Sequence, residues 1–190
     1  MTTLILFTVV IPAFVLKELT DNFSLLRSRK GALLGLLFVI GVYFYATGNG
    51  LHEVANFLLG TYCPTDPIES AICKSLFVDS YYVGNILYFI GAWAVTVSLL
   101  IFEQMQPRYR MTRTDSIGVA VNALFWALAL TAYAGFDRVL VGLVFVAIML
   151  IIAVFLFVRS RQHYRMLPYT FYTLLAYGLA VAASVIVRLR

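Results

Sequence analysis

The sequence has little charge and few of the residues that interrupt helices or bind metals. Only 12% of its 190 residues are charged, and it contains five prolines, two cysteines and two histidines. A soluble domain carries about twice that share of charge. A disordered chain, in turn, lacks the hydrophobic residues that make up 62% of this one. Together these features exclude a water-soluble globule, a disordered chain and a disulfide-rich secreted scaffold.

The scarcity of histidine and lysine excludes several kinds of functional site. The two histidines, His52 and His163, lie in distant parts of the chain, whereas a catalytic zinc ion usually needs three protein ligands. We therefore predict no metal and no cofactor. The only lysines are Lys17, Lys30 and Lys74, all outside the apolar runs, which excludes a Schiff-base lysine in a late helix. The sequence also lacks a phosphate-binding glycine loop and a Gly-x-Ser-x-Gly nucleophile motif.

Long apolar runs are the dominant feature that is present. The mean hydropathy is +0.92, and one bilayer crossing takes about 20 apolar residues. These runs predict an all-α, polytopic membrane bundle of about six transmembrane helices with short loops, which forms a single transmembrane domain over residues 1–190. The predicted helices lie near residues 2–16, 31–58, 76–102, 116–135, 138–158 and 168–187. The first run is short and contains Pro12, so the sequence leaves open whether it crosses fully.

The distribution of positive charge predicts an orientation. Lysine and arginine concentrate in residues 17–30, 103–115 and 159–166, whereas the intervening loops carry only Lys74 and Arg138. Because positive segments resist translocation, we predict that these three segments are cytoplasmic, in the plasma (inner) membrane, and that loop 61–75 is extracytoplasmic. The charges are too scattered for nucleic-acid binding. The predicted partners are membrane lipids, with other membrane subunits or self-association as alternatives.

The two cysteines, Cys63 and Cys73, both lie in the loop predicted to be extracytoplasmic. Oxidation is permitted on that side of the membrane, so we predict a disulfide between them. The alternative is a pair of free thiols that pack as small hydrophobic groups.

Polar residues gather in the outer halves of the second and third predicted helices. Tyr45, Asn49, His52 and Asn56 are spaced by four, three and four residues, which places them on one helical stripe. Ionisable residues within a span are costly unless they are paired or hydrated, so they are the first place to look for function. The candidate site residues are His52, Glu53, Asn56, Asp79 and Tyr82, with Asn49, Tyr81 and Asn85 as secondary candidates.

Two antiparallel helices joined by a short loop bring these stripes together in one outer-half cavity. We expect His52 to serve as an acid–base group in that cavity, with Asp79 or Glu53 orienting it or acting as a general base. Tyr81 or Tyr82 donates to a developing oxyanion. The alternative is that His52 and Glu53 are hydrated in the headgroup region while Asp79 caps or pairs locally.

Two further features have two interpretations each. Gly48-Asn49-Gly50 indicates either a helix break that lines a cavity or a close contact between helices. Polar residues on single faces of two later helices serve packing or line the lower wall of the same cavity. These residues are Asn122, Trp126 and Tyr133 in the fourth predicted helix and Thr173, Tyr177 and Ser184 in the sixth.

Two short motifs resemble a known family. The sequence GNGLH at residues 48–52, followed by DSYYVG at residues 79–84, is similar to the His and Asp motifs of the alkaline ceramidase and adiponectin-receptor superfamily of zinc-dependent membrane hydrolases. That superfamily also has paired histidines near its C-terminus, and residues 167–190 contain none. The resemblance thus covers two motif positions and implies no metal site in this chain.

Three functions fit these features. The first is a non-catalytic subunit, or a stabilising or binding component, of a larger membrane complex with an outer-half polar pocket; the small size and the all-apolar fifth helix favour it. The second is a small membrane enzyme that acts on a lipid or amphipathic substrate through His52 and Asp79. The third is a small-solute transporter that uses a broken second helix. Whether the chain is an enzyme is left open.

Overall fold

The chain is an all-helical bundle in a computed structural model, which confirms the predicted fold class. The structure describes residues 2–63, 70–106 and 110–189, with side chains from residue 9 onward. Within these ranges, five helical segments are long and apolar enough to cross a membrane, which supports a membrane protein.

The helices follow the apolar runs. They are α1 Thr2–Leu19, α2 Arg29–Tyr62, α3 Ala71–Val78, α4 Asn85–Met105, α5 Arg113–Phe136, α6 Val141–Ser160 and α7 Pro168–Arg188. A π-helical segment, Asp79–Gly84, joins α3 to α4, so that Ala71–Met105 is one continuous helix. The five segments suited to crossing are α2, this continuous helix, α5, α6 and α7. The 18 residues of α1, with Pro12 inside, pack beside them against α2 and α4.

The second helix is longer than its apolar run. Its 34 residues correspond to about 51 Å at 1.5 Å per residue, which exceeds the thickness of a bilayer with its headgroups. It continues to Tyr62, where the adjacent Cys63 forms a disulfide with Cys73. The predicted disulfide is therefore confirmed. Residues 64–69 of the enclosed loop, and residues 107–109 of the loop predicted over 103–115, lie outside the described residues.

Small polar side chains determine where several helices begin. Ser28 and Ser70 each accept a hydrogen bond from a backbone N–H in the first turn of α2 and α3. At the start of α5, Thr112 and Asp115 form a reciprocal capping box. These bonds satisfy N–H groups that have no partner within the helix.

The seventh helix is capped by another helix. Leu167 precedes Pro168 and has no polar side chain, so the first free N–H groups of α7 need an external acceptor. Glu103, fully buried in the last turn of α4, accepts hydrogen bonds from the backbone N–H groups of Tyr169 at 2.6 Å and Thr170 at 2.8 Å, and from the Thr170 hydroxyl at 2.6 Å. The partial positive charge of the helix N-terminus offsets the cost of burying this carboxylate. The sequence assigned Glu103 to a loop, whereas it joins α4 to α7.

The backbones of α2 and α4 approach each other closely because glycines face each other across the contact. The four glycines are Gly41 and Gly48 in α2, Gly84 in the π-helical segment and Gly91 in α4. A Cβ atom added to Gly48 would lie 2.1 Å from the backbone nitrogen of Tyr88, and one added to Gly91 would lie 2.1 Å from that of Tyr45. The second helix is unbroken here. Of the two interpretations of Gly48-Asn49-Gly50, the structure therefore has the close contact.

A second closely packed pair is formed by α5 and α7, with buried alanines between them. Ala127 and Ala134 of α5 and Ala176 and Ala180 of α7 are all buried. The sixth helix packs against this pair and against α4. The bundle thus consists of two tight pairs, α2 with α4 and α5 with α7, and a gap remains between α2 and the second pair.

Candidate functional site

The gap between the two helix pairs is a cavity of about 700 Å³. It is lined by residues of α1, α2, α4, α5 and α7, and none of the described lining residues is an acid, a lysine, an arginine or a histidine. An uncharged wall at membrane depth suits an uncharged occupant, because a charged group there is costly without a partner.

Aromatic and hydroxyl groups make up much of the cavity wall. Six tyrosines line it, namely Tyr45, Tyr88, Tyr133, Tyr169, Tyr172 and Tyr177. The hydroxyls of Tyr45 and Tyr88 are 3.4 Å apart and share a hydrogen bond. Trp126 and Thr96 also line the cavity. Such walls combine flat apolar surfaces with hydrogen-bonding groups, which is the usual composition of a site for a small organic molecule.

Two carboxamides in the cavity wall have no protein partner. Asn49 is 6% exposed, and Asn122 is exposed toward the cavity opening. Within the described part of the chain, the side chain of neither asparagine makes a hydrogen bond. A buried amide is normally hydrogen-bonded, so Asn49 has hydrogen-bonding capacity left for an occupant.

The cavity is open on the side of α5. Asn122 and Ala129 line it and are nevertheless exposed. The opposite wall is α1, where Pro12 and Val15 face the cavity. Since α1 packs chiefly against α2 and α4, the opening of the cavity lies between α1 and α5.

A column of aromatic rings connects the cavity to a polar cluster at the end of the bundle where α2 ends. The rings of Tyr45 and Tyr88 are 4.7 Å apart, and those of Tyr88 and Tyr133 stack at 5.5 Å. Tyr133 then lies 5.8 Å from the imidazole of His52, which is 6.3 Å from Tyr81. Tyr133 therefore contacts both the cavity and the cluster.

The π-helical segment positions His52. Its Nδ1 atom is 2.9 Å from the carbonyl oxygen of Ser80. A carbonyl only accepts, so Nδ1 is the protonated nitrogen and donates. In the neutral ring, Nε2 is then left as an acceptor. π-helical turns of this kind occur often at functional sites.

Asn85 and Asp137 form the centre of the polar cluster. Asn85 is 1% exposed, and its Nδ2 group donates to the carbonyl of Tyr81 at 3.1 Å and to Asp137 Oδ2 at 2.8 Å. Its Oδ1 atom is buried and accepts no hydrogen bond from the part of the chain that the structure describes. Burial raises the pKa of the Asp137 carboxyl, while hydrogen bonds from the Arg138 N–H and Asn85 and the nearby His52 and Arg188 act in the opposite direction.

Arg188 in the last turn of α7 holds the loop that carries Asp137. Its Nε atom donates to the carbonyl of Ala134 at 2.8 Å, and its Nη2 atom donates to those of Asp137 at 3.1 Å and Val139 at 2.9 Å. These carbonyls end α5 and begin the connection to α6. The arginine thus fixes Asp137 beside Asn85 through the backbone.

The structure brings only some of the predicted site residues together. His52, Tyr81 and Asn85 belong to the polar cluster, and Glu53, which follows His52 in α2, is half-buried. Asn49 lines the cavity instead.

The remaining predicted residues lie outside this cluster. Asn56 is exposed and Tyr82 is 41% exposed. Asp79 is half-buried and makes no hydrogen bond to His52, whose Nδ1 position is taken by the Ser80 carbonyl.

Sequence reasoning missed Ser80, Asp137 and Arg188. Every residue has a backbone carbonyl, so the sequence does not indicate which one accepts a hydrogen bond from a histidine. Asp137 had a weak signal, because it is an acid directly after the apolar run of α5, with a second long apolar run four residues later.

Among the described residues, no group of three His, Cys, Asp or Glu side chains is placed to hold a metal ion. No protein family, no curated protein and no solved structure matches the chain.

Proposed function

We propose that the chain is a non-catalytic binding component of a membrane, which holds an uncharged, lipid-soluble molecule in its central cavity. The observation that carries this proposal is the cavity of about 700 Å³ with an uncharged wall rich in tyrosine. Cavities of this size and composition bind small organic ligands. The occupant would place its rings or chain against the aromatic walls and its oxygens against the free amides and hydroxyls.

The proposed location is the plasma (inner) membrane, with residues 17–30, 103–115 and 159–166 cytoplasmic and loop 61–75 extracytoplasmic. The concentration of positive charge in the three segments supports this orientation. The disulfide between Cys63 and Cys73 supports it too, because disulfides persist on the oxidising side of a membrane.

The proposed partners are membrane lipids and, within a larger assembly, other membrane subunits or a second copy of the chain. The sixth helix supports such contacts. Apart from Arg159 in the last turn, its exposed side chains are apolar, with Ile151 67% exposed and Val158 68% exposed. In a bilayer these side chains contact either lipid tails or the apolar face of another helix.

The chain provides its own reporters for ligand binding. Trp126 lines the cavity, whereas Trp93 lies outside the lining and donates to the carbonyl of Phe145 at 3.1 Å. The variant Trp93→Phe retains only Trp126, and Trp126→Phe retains only Trp93. Each variant, purified in detergent, is titrated with a dibrominated fatty alcohol, whose bromine atoms quench nearby indoles.

The proposal predicts saturable quenching of Trp126 that unlabelled dodecanol reverses. Trp93 serves as the matched control and shows only weak, non-saturating quenching. Equal quenching of the two indoles, or quenching of Trp126 that never saturates, would show that the alcohol is dissolved around the protein and would refute a binding cavity.

A membrane enzyme is the second candidate, and the geometry of His52 favours it. The imidazole has Nδ1 held by Ser80 and Nε2 available, with the carboxylate of Asp137 nearby, an arrangement used by general bases. We expect no turnover when the protein in lipid nanodiscs is incubated with a total lipid extract and analysed by mass spectrometry. A product formed by the wild-type chain and lost in His52→Gln would favour the enzyme.

A further inference from the structure

Resting on the proposed function, we infer that the ligand is an elongated, uncharged molecule with a hydrogen-bonding oxygen at each end. Asn49 and Asn122 lie near opposite ends of the cavity, and neither carboxamide makes a hydrogen bond to the described residues. One molecule that spans the distance between them satisfies both.

Asn49 lies near one end of the cavity. Gly48, the preceding residue, packs against the backbone of Tyr88. The ring of Tyr88 in turn stacks on Tyr133 of α5 at 5.5 Å. Asn49 therefore lies at the level of Tyr133, near the end of the cavity that adjoins the polar cluster.

Asn122 lies near the other end of the cavity. Asn122 precedes Tyr133 by eleven residues in the same helix, and a rise of 1.5 Å per residue separates the two levels by about 16 Å. Leu99 and Tyr88 are also eleven residues apart in α4, and both line the cavity. The cavity thus extends at least this far along the bundle, and the two asparagines stand near its two ends.

Both ends of the cavity carry a carboxamide. A carboxamide both donates and accepts, so it pairs with a hydroxyl or a carbonyl. Between the asparagines the lining offers apolar and aromatic surfaces, with Val95, Trp126 and Leu130 among the described residues. The hydroxyls of Tyr45 and Tyr88 in this stretch bind each other, and that of Tyr177 interacts with Thr96. A polar group in the middle of the ligand gains less there than one at either end. The lining therefore suits a long apolar body with an oxygen at each terminus.

The test compares two alcohols that differ in one group. Dodecanediol, with a hydroxyl at each end, has an extended length close to the separation of the two asparagine levels along the bundle, and dodecanol pairs with only one asparagine. Both compete with the brominated alcohol for Trp126 in the Trp93→Phe background. One additional hydrogen bond of about 1 kcal/mol corresponds to about five-fold tighter binding of the diol.

Asn49→Leu and Asn122→Leu preserve side-chain volume and each remove one partner, so each variant is expected to bind the two alcohols equally. Asn56→Leu, which changes an exposed asparagine outside the cavity lining, is the matched control and retains the five-fold preference. Competition by dodecanol shows that each variant is folded.

Equal binding of the two alcohols by the wild-type chain overturns the inference and leaves the proposed function standing. A diol preference that survives in both cavity variants also overturns it. Binding of neither alcohol overturns the proposed function itself.

Discussion

At the scale of single residues, Asp137 shows how a helix connection becomes part of a site. Both carboxylate oxygens are engaged, Oδ1 by the Arg138 N–H at 2.7 Å and Oδ2 by Asn85 at 2.8 Å. Arg188 binds the carbonyl of the same residue. The residue is thus held through its side chain by Asn85 and the Arg138 N–H and through its backbone by Arg188, and burial still raises the pKa of its carboxyl above the ordinary 3.8.

The raised pKa of Asp137 predicts a pH dependence of stability. A carboxyl with a higher pKa in the folded than in the unfolded protein binds its proton more tightly when folded. Its contribution to the free energy of unfolding is therefore full below 3.8 and is lost as the pH rises through the folded pKa. Thermal unfolding in detergent, followed by tryptophan fluorescence, measures this dependence.

Asp137→Asn is the variant for this test, because its amide does not titrate. We expect the stability difference between the wild-type chain and the variant to change with pH above 3.8, with the wild-type chain gaining relative stability as the pH falls. A difference that is the same at every pH contradicts the prediction.

The buried cap formed by Glu103, which does not itself line the cavity, predicts a loss of stability when it is removed. Glu103→Ala leaves three donors at the start of α7 without their acceptor, and each unsatisfied buried donor costs about 1–3 kcal/mol. We expect the free energy of unfolding in mixed micelles to fall by about 3 kcal/mol or more. Thr170→Val removes one of these bonds and is expected to cost about 1 kcal/mol. Equal losses in the two variants would show that Glu103 is not the cap.

At the scale of elements, the contact between α2 and α4 depends on the absence of side chains. A methyl group on Gly48 meets backbone atoms, which cannot move as a flexible side chain does. The two helices therefore have to separate to accept it. Because Tyr45 and Asn49 lie on the same face of α2 as this contact, separation also changes the cavity wall.

Gly48→Ala is expected to destabilise the protein by about 3 kcal/mol, at the upper end of the usual cost of overpacking. Gly60→Ala is the matched control, because nothing lies within 4 Å of the added methyl group. That substitution is expected to raise stability slightly, since alanine favours helix more than glycine does. Unfolding of both variants in mixed micelles measures the difference, and similar values for the two would contradict the close approach.

The apolar runs were sufficient to predict the helices, because a long uncharged run has few other structures available in a membrane. They did not predict the disulfide-linked ends of α2 and α3, where polar residues continue the helix beyond the run. Of the polar cluster, the sequence predicted only the members in α2, in the π-helical segment and at the start of α4, namely His52, Tyr81 and Asn85. The bond between Asn85 and Asp137 joins residues 52 positions apart, and their proximity depends on the order in which helices pair. No periodicity in the sequence encodes that order.

At the scale of the whole molecule, the proposed orientation makes the disulfide accessible from one side only. In intact cells, a membrane-impermeant phosphine is expected to reduce Cys63–Cys73 and make both cysteines reactive toward a mass-tagged maleimide. Cells with the same protein but no phosphine are the control and show no tag. Tagging that requires permeabilised cells would place this loop in the cytoplasm and reverse the proposed orientation.

The opening between α1 and α5 determines how the proposed ligand is supplied. Asn122 lies nine residues after the start of α5, which places the opening about 14 Å along that helix, within the hydrocarbon layer. A molecule that enters there dissolves in lipid first, so the relevant dose is its mole fraction in the bilayer and not its aqueous concentration. Adding empty vesicles at constant total ligand would then dilute the ligand and empty the cavity, although the volume of the sample has not changed.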